Sequence, residues 1–171
     1  MATGRAVEKS YRRISIICTL FGGLFAAPLG VRAWADEPNF PACLSAALDE
    51  RRSFCAESNK QLKLGPLAIR RLDLSGEGNA DYILDDSAVS CGDEHGWCGS
   101  GGCSVSIYMQ TANGYAEVYN DLAQSVQVSP RRKGYQVVVT KRIGPGDRLV
   151  FDNGCAVDLA HDKSRSCKVD K

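Results

Sequence analysis

Five oxygen-bearing side chains alternate along one short segment, DLSGEGNADY, and are the residues best suited to bind an ion. They are Asp73, Ser75, Glu77, Asn79 and Asp81. Calcium takes several hard oxygen ligands at about 2.3 to 2.6 Å, and alternate positions around a glycine can direct such oxygens to one point. The pattern therefore predicts a calcium loop to which Asn79 contributes its backbone carbonyl. We expect the ion to be structural, because no general base accompanies an open coordination position.

The acidic segment departs in part from known calcium loops. Leu84 occupies the twelfth position, where an EF-hand has an acid, so the segment is not an EF-hand. Ser75 is a neutral ligand, and Glu77 is one carbon longer than the aspartate expected there. The alternative is a polar turn without an ion, in which Asp73 and Ser75 bond to the local backbone and glycines supply the turn dihedrals. The sequence supports both interpretations.

A second segment, CGDEHGWCGSGGC at residues 91–103, concentrates groups that bind zinc or move protons. These are Cys91, Asp93, Glu94, His95, Cys98 and Cys103. The gaps of six and four residues between the cysteines do not match the short pairs of structural zinc sites. A cell-envelope hydrolase could use Asp93, Glu94, His95 and His161, although no recognisable catalytic constellation surrounds either histidine. A rigid loop of this kind also suits an inhibitor of an exported enzyme.

The N-terminal segment has the features of a secretory signal peptide. Basic residues precede an apolar run from Ile14 to Gly30, and Ala33 and Ala35 match the small residues of a cleavage site. We therefore expect residues 1–35 to be removed and residues 36–171 to form a single mature domain. A retained membrane anchor is the alternative, which the glycines and the proline within the run disfavour.

The remaining cysteines predict the positions of further covalent links. Seven cysteines follow the expected cleavage site, and in an exported protein they predict disulfides. We expect at least one local bridge within residues 91–103 and another between Cys155 and Cys167. Cys43 and Cys55 cannot bridge each other on one straight helix, because about 18 Å would separate them. Either each pins the helix to the sheet through another cysteine, or the helix breaks between them, and the odd number leaves one thiol over.

The elements that must position these groups are a helix followed by strands. The stretch between Pro41 and Gly65 mixes apolar and charged residues at helical spacing, and predicts an amphipathic helix at about 41–63. Short strands bounded by turn residues follow, from about 67 to 160. The predicted fold class is α+β, with an N-terminal amphipathic helix packed on an antiparallel β-meander and stapled by disulfides.

Two hairpins are predicted within the meander. Alternating residues lead into Asn113-Gly114, which favours a type I′ turn because both residues tolerate a positive φ. Counting back from that turn, Met109 lies opposite Val118 on the core face, and Tyr108 lies opposite Tyr119 on the other face. A final hairpin is predicted to turn at Asn153-Gly154.

The segments LDLSGEGNADYILDD, CGSGGCSVSIYM and NGYAEVY carry a resemblance to known proteins. The acidic loop resembles the D-x-N-x-D-G-x-x-D-Y loop of FG-GAP and VCBS-type extracellular repeats. With the other two segments it is similar to a group of small exported proteobacterial proteins. The resemblance covers roughly residues 67–119 and implies export and a compact disulfide-bonded β domain, with no catalytic residue to transfer. Because the loop occurs once, the propeller of FG-GAP repeats is not implied.

Charge and export together set the expected function. The expected mature chain has a mild excess of acidic residues, whereas nucleic acids and anionic membranes select concentrated positive charge. We therefore expect no nucleic acid partner and no membrane association after signal cleavage. The prediction is a periplasmic or secreted monomer, a binding or envelope-accessory protein whose partner is an envelope or extracellular protein. An inhibitor of an exported enzyme and a cell-envelope hydrolase are the alternatives.

Overall fold

The computed structural model describes residues 40–152, 155–160 and 165–166, so the predicted signal peptide lies outside the described residues. These residues form one helix and twelve strands. The helix is α1, Ala42–Glu57, and a 3₁₀ turn spans Asp86–Ala88. The strands are β1 Leu62–Leu64, β2 Ile69–Leu72, β3 Asp81–Asp85, β4 Val89–Cys91, β5 Cys98–Gly99, β6 Gly102–Thr111, β7 Gly114–Ala123, β8 Ser125–Pro130, β9 Tyr135–Thr140, β10 Asp147–Asp152, β11 Cys155–Asp158 and β12 Arg165–Ser166.

The strands form two five-stranded antiparallel sheets and a small ribbon in which β1 pairs with β4. The second sheet follows chain order from β8 to β12, as the strands of a meander do. The first sheet does not follow chain order: β3 pairs with β2 and β6, and β6 also pairs with β5 and β7. The prediction of mainly antiparallel strands with one helix is confirmed, whereas the single meander is replaced by two sheets.

The first sheet is the middle layer, because both of its faces are buried. Along β3, Tyr82 and Leu84 pack with Leu44 and Leu48 of α1, whereas Ile83 belongs to the core shared with the second sheet. Successive side chains of a strand point to opposite faces, so one strand can serve two cores. The order of layers is therefore helix, first sheet, second sheet.

Helix α1 is shorter than predicted, ending at Glu57 and not near residue 63. Asn59 has a φ of 53°, in the left-handed region that terminates helices, and the Lys60 N–H bonds back to the Cys55 carbonyl. The chain then turns into β1, which the prediction had included in the helix. The buried side chains of the helix form one stripe toward the sheet: Leu44, Leu48, Arg51 and Cys55.

The turn between β6 and β7 differs from the predicted one. Thr111 pairs with Gly114, so Ala112 and Asn113 are the two turn residues. A type I′ turn needs a positive φ at both central residues. Among residues 111–114 only Gly114 has a positive φ, of 111°. The prediction of a type I′ turn at Asn113-Gly114 is therefore wrong, because the left-handed conformation falls on the first residue of β7.

The displaced turn changes the cross-strand pairs of this hairpin. Met109 lies opposite Ala116 and not opposite Val118. A β-bulge between Ile107 and Tyr108 then shifts the register by one residue. Met109 and Val118 still share the core between the two sheets, as predicted for that face.

Tyr108 and Tyr119 do not lie opposite each other, contrary to the prediction. Tyr108 lies opposite Glu117 and is buried beneath α1, with 4% of its surface exposed. Tyr119 packs against the core between the sheets, where its hydroxyl donates a hydrogen bond to Asp147. The bulge and the shifted turn place the two rings in different layers.

The second predicted turn, Asn153-Gly154, lies outside the described residues, and β10 and β11 pair on either side of it.

Candidate functional site

Asp73 closes the acidic loop on itself. Its Oδ1 accepts the Glu77 N–H at 3.0 Å, and its Oδ2 accepts the Gly78 N–H at 2.8 Å. Gly76 and Gly78 both have a positive φ, of 72° and 86°, which only glycine adopts readily. The side chain and the two glycines together form a local turn.

Asp81 anchors the end of the acidic loop to the first sheet. Its side chain is buried, and its two oxygens accept the Leu74 N–H at 2.9 Å and the Gln110 N–H at 3.0 Å. Burial raises the pKa of Asp81, and these backbone hydrogen bonds oppose part of that rise. One carboxyl group thus joins both ends of the loop to β6.

The other three predicted ligands lie in different surroundings. Ser75 is buried, whereas Glu77 and Asn79 are exposed, and Glu77 Oε1 lies 3.9 Å from Lys133 Nζ. Within residues 40–152, 155–160 and 165–166, no group of three or more His, Cys, Asp or Glu side chains is arranged to hold a metal ion. The two aspartates at the ends of the loop bind backbone N–H groups, and calcium binding stays a prediction.

The acidic loop also connects the two sheets. The Leu74 carbonyl accepts the Tyr135 N–H at 2.9 Å, beside the turn that joins β8 to β9. A Cβ on Gly134 would lie 2.1 Å from the same carbonyl oxygen, and one on Gly76 would lie 2.6 Å from the Gly134 nitrogen. Two glycines therefore permit a close backbone approach at this point. The role of the loop in the described structure is to hold the two sheets together.

The cysteines form the predicted kinds of disulfide. Cys98 bonds to Cys103 within the local cluster, and Cys55 bonds to Cys91, which pins α1 to β4. Cys155 is disulfide-bonded as well, and Cys167, its predicted partner, lies outside the described residues. The Cys43 sulfur lies 3.8 Å from the Tyr115 carbonyl oxygen.

The acids and the histidine of the 91–103 segment contact the β1–β4 ribbon and its flanks. Asp93 Oδ1 lies 3.2 Å from Lys63 Nζ, and Glu94 Oε1 lies 2.6 Å from Lys60 Nζ. His95 Nδ1 lies 3.1 Å from the Val89 carbonyl oxygen. These groups thus bind their own neighbours, and His161, the other histidine of the hydrolase hypothesis, lies outside the described residues.

Trp97, in the same segment, packs against the helix. Its ring centroid lies 5.3 Å from that of Phe54 and 5.6 Å from the guanidinium carbon of Arg51. Trp97 therefore attaches the 91–103 segment to the helix layer.

A buried ion pair joins α1 to the 3₁₀ turn. Arg51 Nε donates to Asp86 Oδ1 at 2.7 Å and Arg51 Nη2 donates to Asp86 Oδ2 at 2.6 Å, while Nη1 bonds to the Ala47 carbonyl. Burial lowers the pKa of Arg51, but the hydrogen bond to Asp86 and the surrounding negative charge, mainly that of Asp86, together outweigh burial and raise the pKa. The guanidinium fork matches a carboxylate at two points. The pair was not predicted, although the position of Arg51 between Leu48 and Cys55 on the buried stripe is a signal in the helical pattern that could have identified it.

A groove of about 430 Å³ lies where three distant segments meet. Ser100 and Gly101, at the turn between β5 and β6, form one wall, and Asp121 and Leu122 of β7 form the next. Residues 141–143, which follow β9, complete it. We call this site the Leu122 groove. Sequence reasoning missed it, because its parts are separated along the chain and no one of them forms a recognisable motif.

The Leu122 groove combines aliphatic surface with charged groups. Leu122 and Ile143 are 48% and 87% exposed, although both are large aliphatic residues. Arg142 Nη1 donates a hydrogen bond to the Ser100 carbonyl and so links two walls. Exposed aliphatic side chains beside oriented donors are typical of surfaces that bind another molecule.

Lys141 is fixed between two carboxylates at the base of the groove. Its Nζ lies 2.7 Å from Asp121 Oδ2 and 2.9 Å from Asp147 Oδ2. Burial lowers the pKa of Lys141, but the hydrogen bonds to Asp121 and Asp147 and the negative charges of these two residues together outweigh burial and raise the pKa. Burial also raises the pKa of Tyr119, together with the bond from its hydroxyl to Asp147. Lys141 and Tyr119 therefore keep their protons at neutral pH. The ion pairs with Asp121 and Asp147 hold the Lys141 side chain in place at the base of the groove.

Comparison with known proteins finds no matching protein family, no matching curated protein and no matching solved structure. The likeness of the acidic loop to FG-GAP and VCBS-type repeats accordingly stays a prediction. Across the described residues, no helix combines the length and the apolar character needed to cross a membrane.

Proposed function

We propose that this chain is an exported, disulfide-stapled binding protein and that the Leu122 groove is its binding surface. The observation that carries the proposal is the exposure of Leu122 and Ile143 beside Arg142 in one concave site. A volume of about 430 Å³ falls within the range of about 300 to 1,000 Å³ usual for small-molecule sites. The groove would accept an aliphatic or aromatic group next to a hydrogen-bond acceptor.

We further propose that the protein acts as a monomer in the periplasm or outside the cell, on an envelope or extracellular partner. Disulfides persist in oxidising compartments, and two of them have both partners among the described residues. The contacts of Asp93, Glu94 and His95 with the ribbon favour binding over the hydrolase alternative. The inhibitor alternative keeps one supporting observation, since the turn of the CGSGGC segment forms a wall of the groove.

The groove is tested with anilinonaphthalene sulfonate, a fluorescent probe that has an apolar ring system and one anionic group. The double variant Leu122→Ser/Ile143→Ser should bind the probe about fivefold to tenfold more weakly than wild type, because it loses apolar contact of roughly 1 kcal/mol. Fluorescence titration gives the dissociation constant, and amide chemical shifts in NMR spectra show where the probe sits.

The matched control is Leu67→Ser, because Leu67 is also an exposed leucine, at 62%, and it does not line the groove. This variant should bind the probe like wild type. Equal affinities for wild type and the groove variant, or shifts confined to residues outside the groove, would show that the Leu122 groove is not the binding surface.

Calcium binding by the acidic loop is a second proposal, carried over from the sequence. The carboxylate of Asp73 can accept more hydrogen bonds or ligands than the two N–H groups it holds. If calcium binds, a concentration ten times the dissociation constant should stabilise the fold by about 1.4 kcal/mol. Thermal unfolding with calcium and with a chelator measures this difference.

The variant for the calcium test is Asp73→Ala, with Asp93→Ala as the control, because Asp93 is an exposed acid in another loop. The calcium-dependent shift should vanish in the first variant and persist in the second. A wild-type protein whose midpoint is the same in calcium and in chelator has no such site.

A further inference from the structure

The two disulfides described with both partners differ in how accessible their sulfur atoms are. Cys55 and Cys91 are buried, with 0% and 3% of their surfaces exposed. Cys98 and Cys103 are half-buried. Thiol–disulfide exchange requires an attacking thiolate to reach a sulfur atom of the disulfide. The greater exposure of Cys98 and Cys103 therefore favours reduction of their bond over reduction of the Cys55–Cys91 bond.

The Cys98–Cys103 disulfide holds a strand that has few other attachments. Strand β5 contains two residues, and it pairs with β6 only at Cys98↔Cys103 and Gly99↔Gly102. One further bond, from the Ser104 N–H to the Trp97 carbonyl at 3.2 Å, flanks these pairs. Glycine loses more conformational freedom on ordering than any other residue. The covalent bond therefore contributes a large part of what keeps this glycine-rich turn in one conformation.

The same turn forms a wall of the Leu122 groove. The Ser100 carbonyl accepts the hydrogen bond from Arg142, and a Cβ on Gly101 would lie 3.0 Å from Leu122 Cδ1. The turn thus contacts two of the groove-lining side chains directly. Any loosening of the turn removes these contacts and changes the shape of the groove.

We propose that the Cys98–Cys103 disulfide is a redox switch that holds the Leu122 groove in its binding conformation. This inference rests on the proposed binding function of the groove. A dithiol reductant supplies the electrons. Its first thiolate attacks one of the two cysteine sulfurs, forms a mixed disulfide and releases the other cysteine as a thiolate. Its second thiol then displaces the bound cysteine, so the protein gains two thiols and the reductant becomes a disulfide.

Graded reduction with dithiothreitol tests the switch. After each step, free thiols are alkylated, and the alkylated cysteines are located by mass spectrometry. The same spectra report the alkylation of Cys155. Cys98 and Cys103 should be labelled at a dithiothreitol concentration at least about tenfold lower than Cys55 and Cys91. At that point amide exchange at Ser104, whose N–H donates to the Trp97 carbonyl, should rise at least about tenfold, while exchange in β3 stays unchanged.

The variant Cys98→Ala/Cys103→Ala provides the same test without reductant. It should show the same faster exchange at Ser104 and should bind anilinonaphthalene sulfonate more weakly than oxidised wild type. Simultaneous labelling of both disulfides, or unchanged exchange after selective reduction, would overturn the proposal. So would unchanged probe affinity in a protein whose groove binds the probe.

Failure of the binding function is a separate result. If oxidised wild type does not bind the probe in the groove, the proposed function is wrong, and the disulfide does not control ligand binding there. The order of labelling and the amide exchange would still show whether the disulfide controls the conformation of the turn.

Discussion

Replacing Asp86 with alanine is expected to lower the free energy of unfolding by about 3 to 5 kcal/mol, because it leaves the buried Arg51 guanidinium without its counter-charge. Both oxygens of Asp86 bind Arg51, and the Asp86 side chain is fully buried. Urea denaturation at neutral pH measures the loss.

The surface pair of Asp49 and Arg52 supplies the control for this prediction. Its two atoms lie 2.6 Å apart, as in the buried pair, but 69% of the Asp49 side chain is exposed. Exposed ion pairs contribute little, so Asp49→Ala should cost less than about 0.5 kcal/mol. The double variant Arg51→Met/Asp86→Leu should recover most of the stability, because removing both charges leaves neither unpaired. A cost below about 1 kcal/mol for Asp86→Ala would contradict the argument.

Removing the Cys55–Cys91 disulfide should cost about 4 kcal/mol under oxidising conditions, in the double variant Cys55→Ala/Cys91→Ala. The bond joins residues 36 positions apart, and in the chain-entropy account the stabilisation grows with the length of the closed loop. It also fixes the end of α1 to β4, so its loss should free the helix layer. Urea denaturation gives the free energy of unfolding, and far-ultraviolet circular dichroism reports whether the helix is retained.

The Cys98–Cys103 disulfide is the matched control, since it joins residues only 5 positions apart. The same account gives about 2 kcal/mol for Cys98→Ala/Cys103→Ala, roughly half the other loss. Equal losses in the two double variants would show that loop length does not decide the contribution of these bonds.

The sequence predicts those features of the fold that depend on local pattern. The helix between Pro41 and Gly65 and the strands after it follow from spacing and turn residues, and the local disulfide follows from the glycines between its cysteines. The end of the helix was predicted wrongly. The helix ends where Asn59 takes a left-handed conformation and the chain turns to pair β1 with β4, and this pairing with a distant strand is not part of the local pattern. The register of the β6–β7 hairpin was also predicted wrongly. The register depends on the turn, and the turn depends on which residue takes the positive φ.

The candidate site was less predictable than the fold. Calcium binding by the oxygens from Asp73 to Asp81 stays a prediction, and the backbone N–H groups that both aspartates bind in the structure could not be identified from their alternation. The Leu122 groove depends on how two sheets pack and on where two connecting segments meet strand β7. Residue spacing within one segment does not reveal how distant segments pack against each other. For the same reason, it does not reveal that Asp86 is the partner of Arg51.

The position of the first sheet between two cores has a consequence for how the protein unfolds. Strand β3 and strand β6 each contribute side chains to the core under α1 and to the core between the sheets. Disruption of either core removes support from strands that the other requires. The helix layer and the two sheets should therefore melt in a single cooperative transition, with calorimetric and van't Hoff enthalpies that agree.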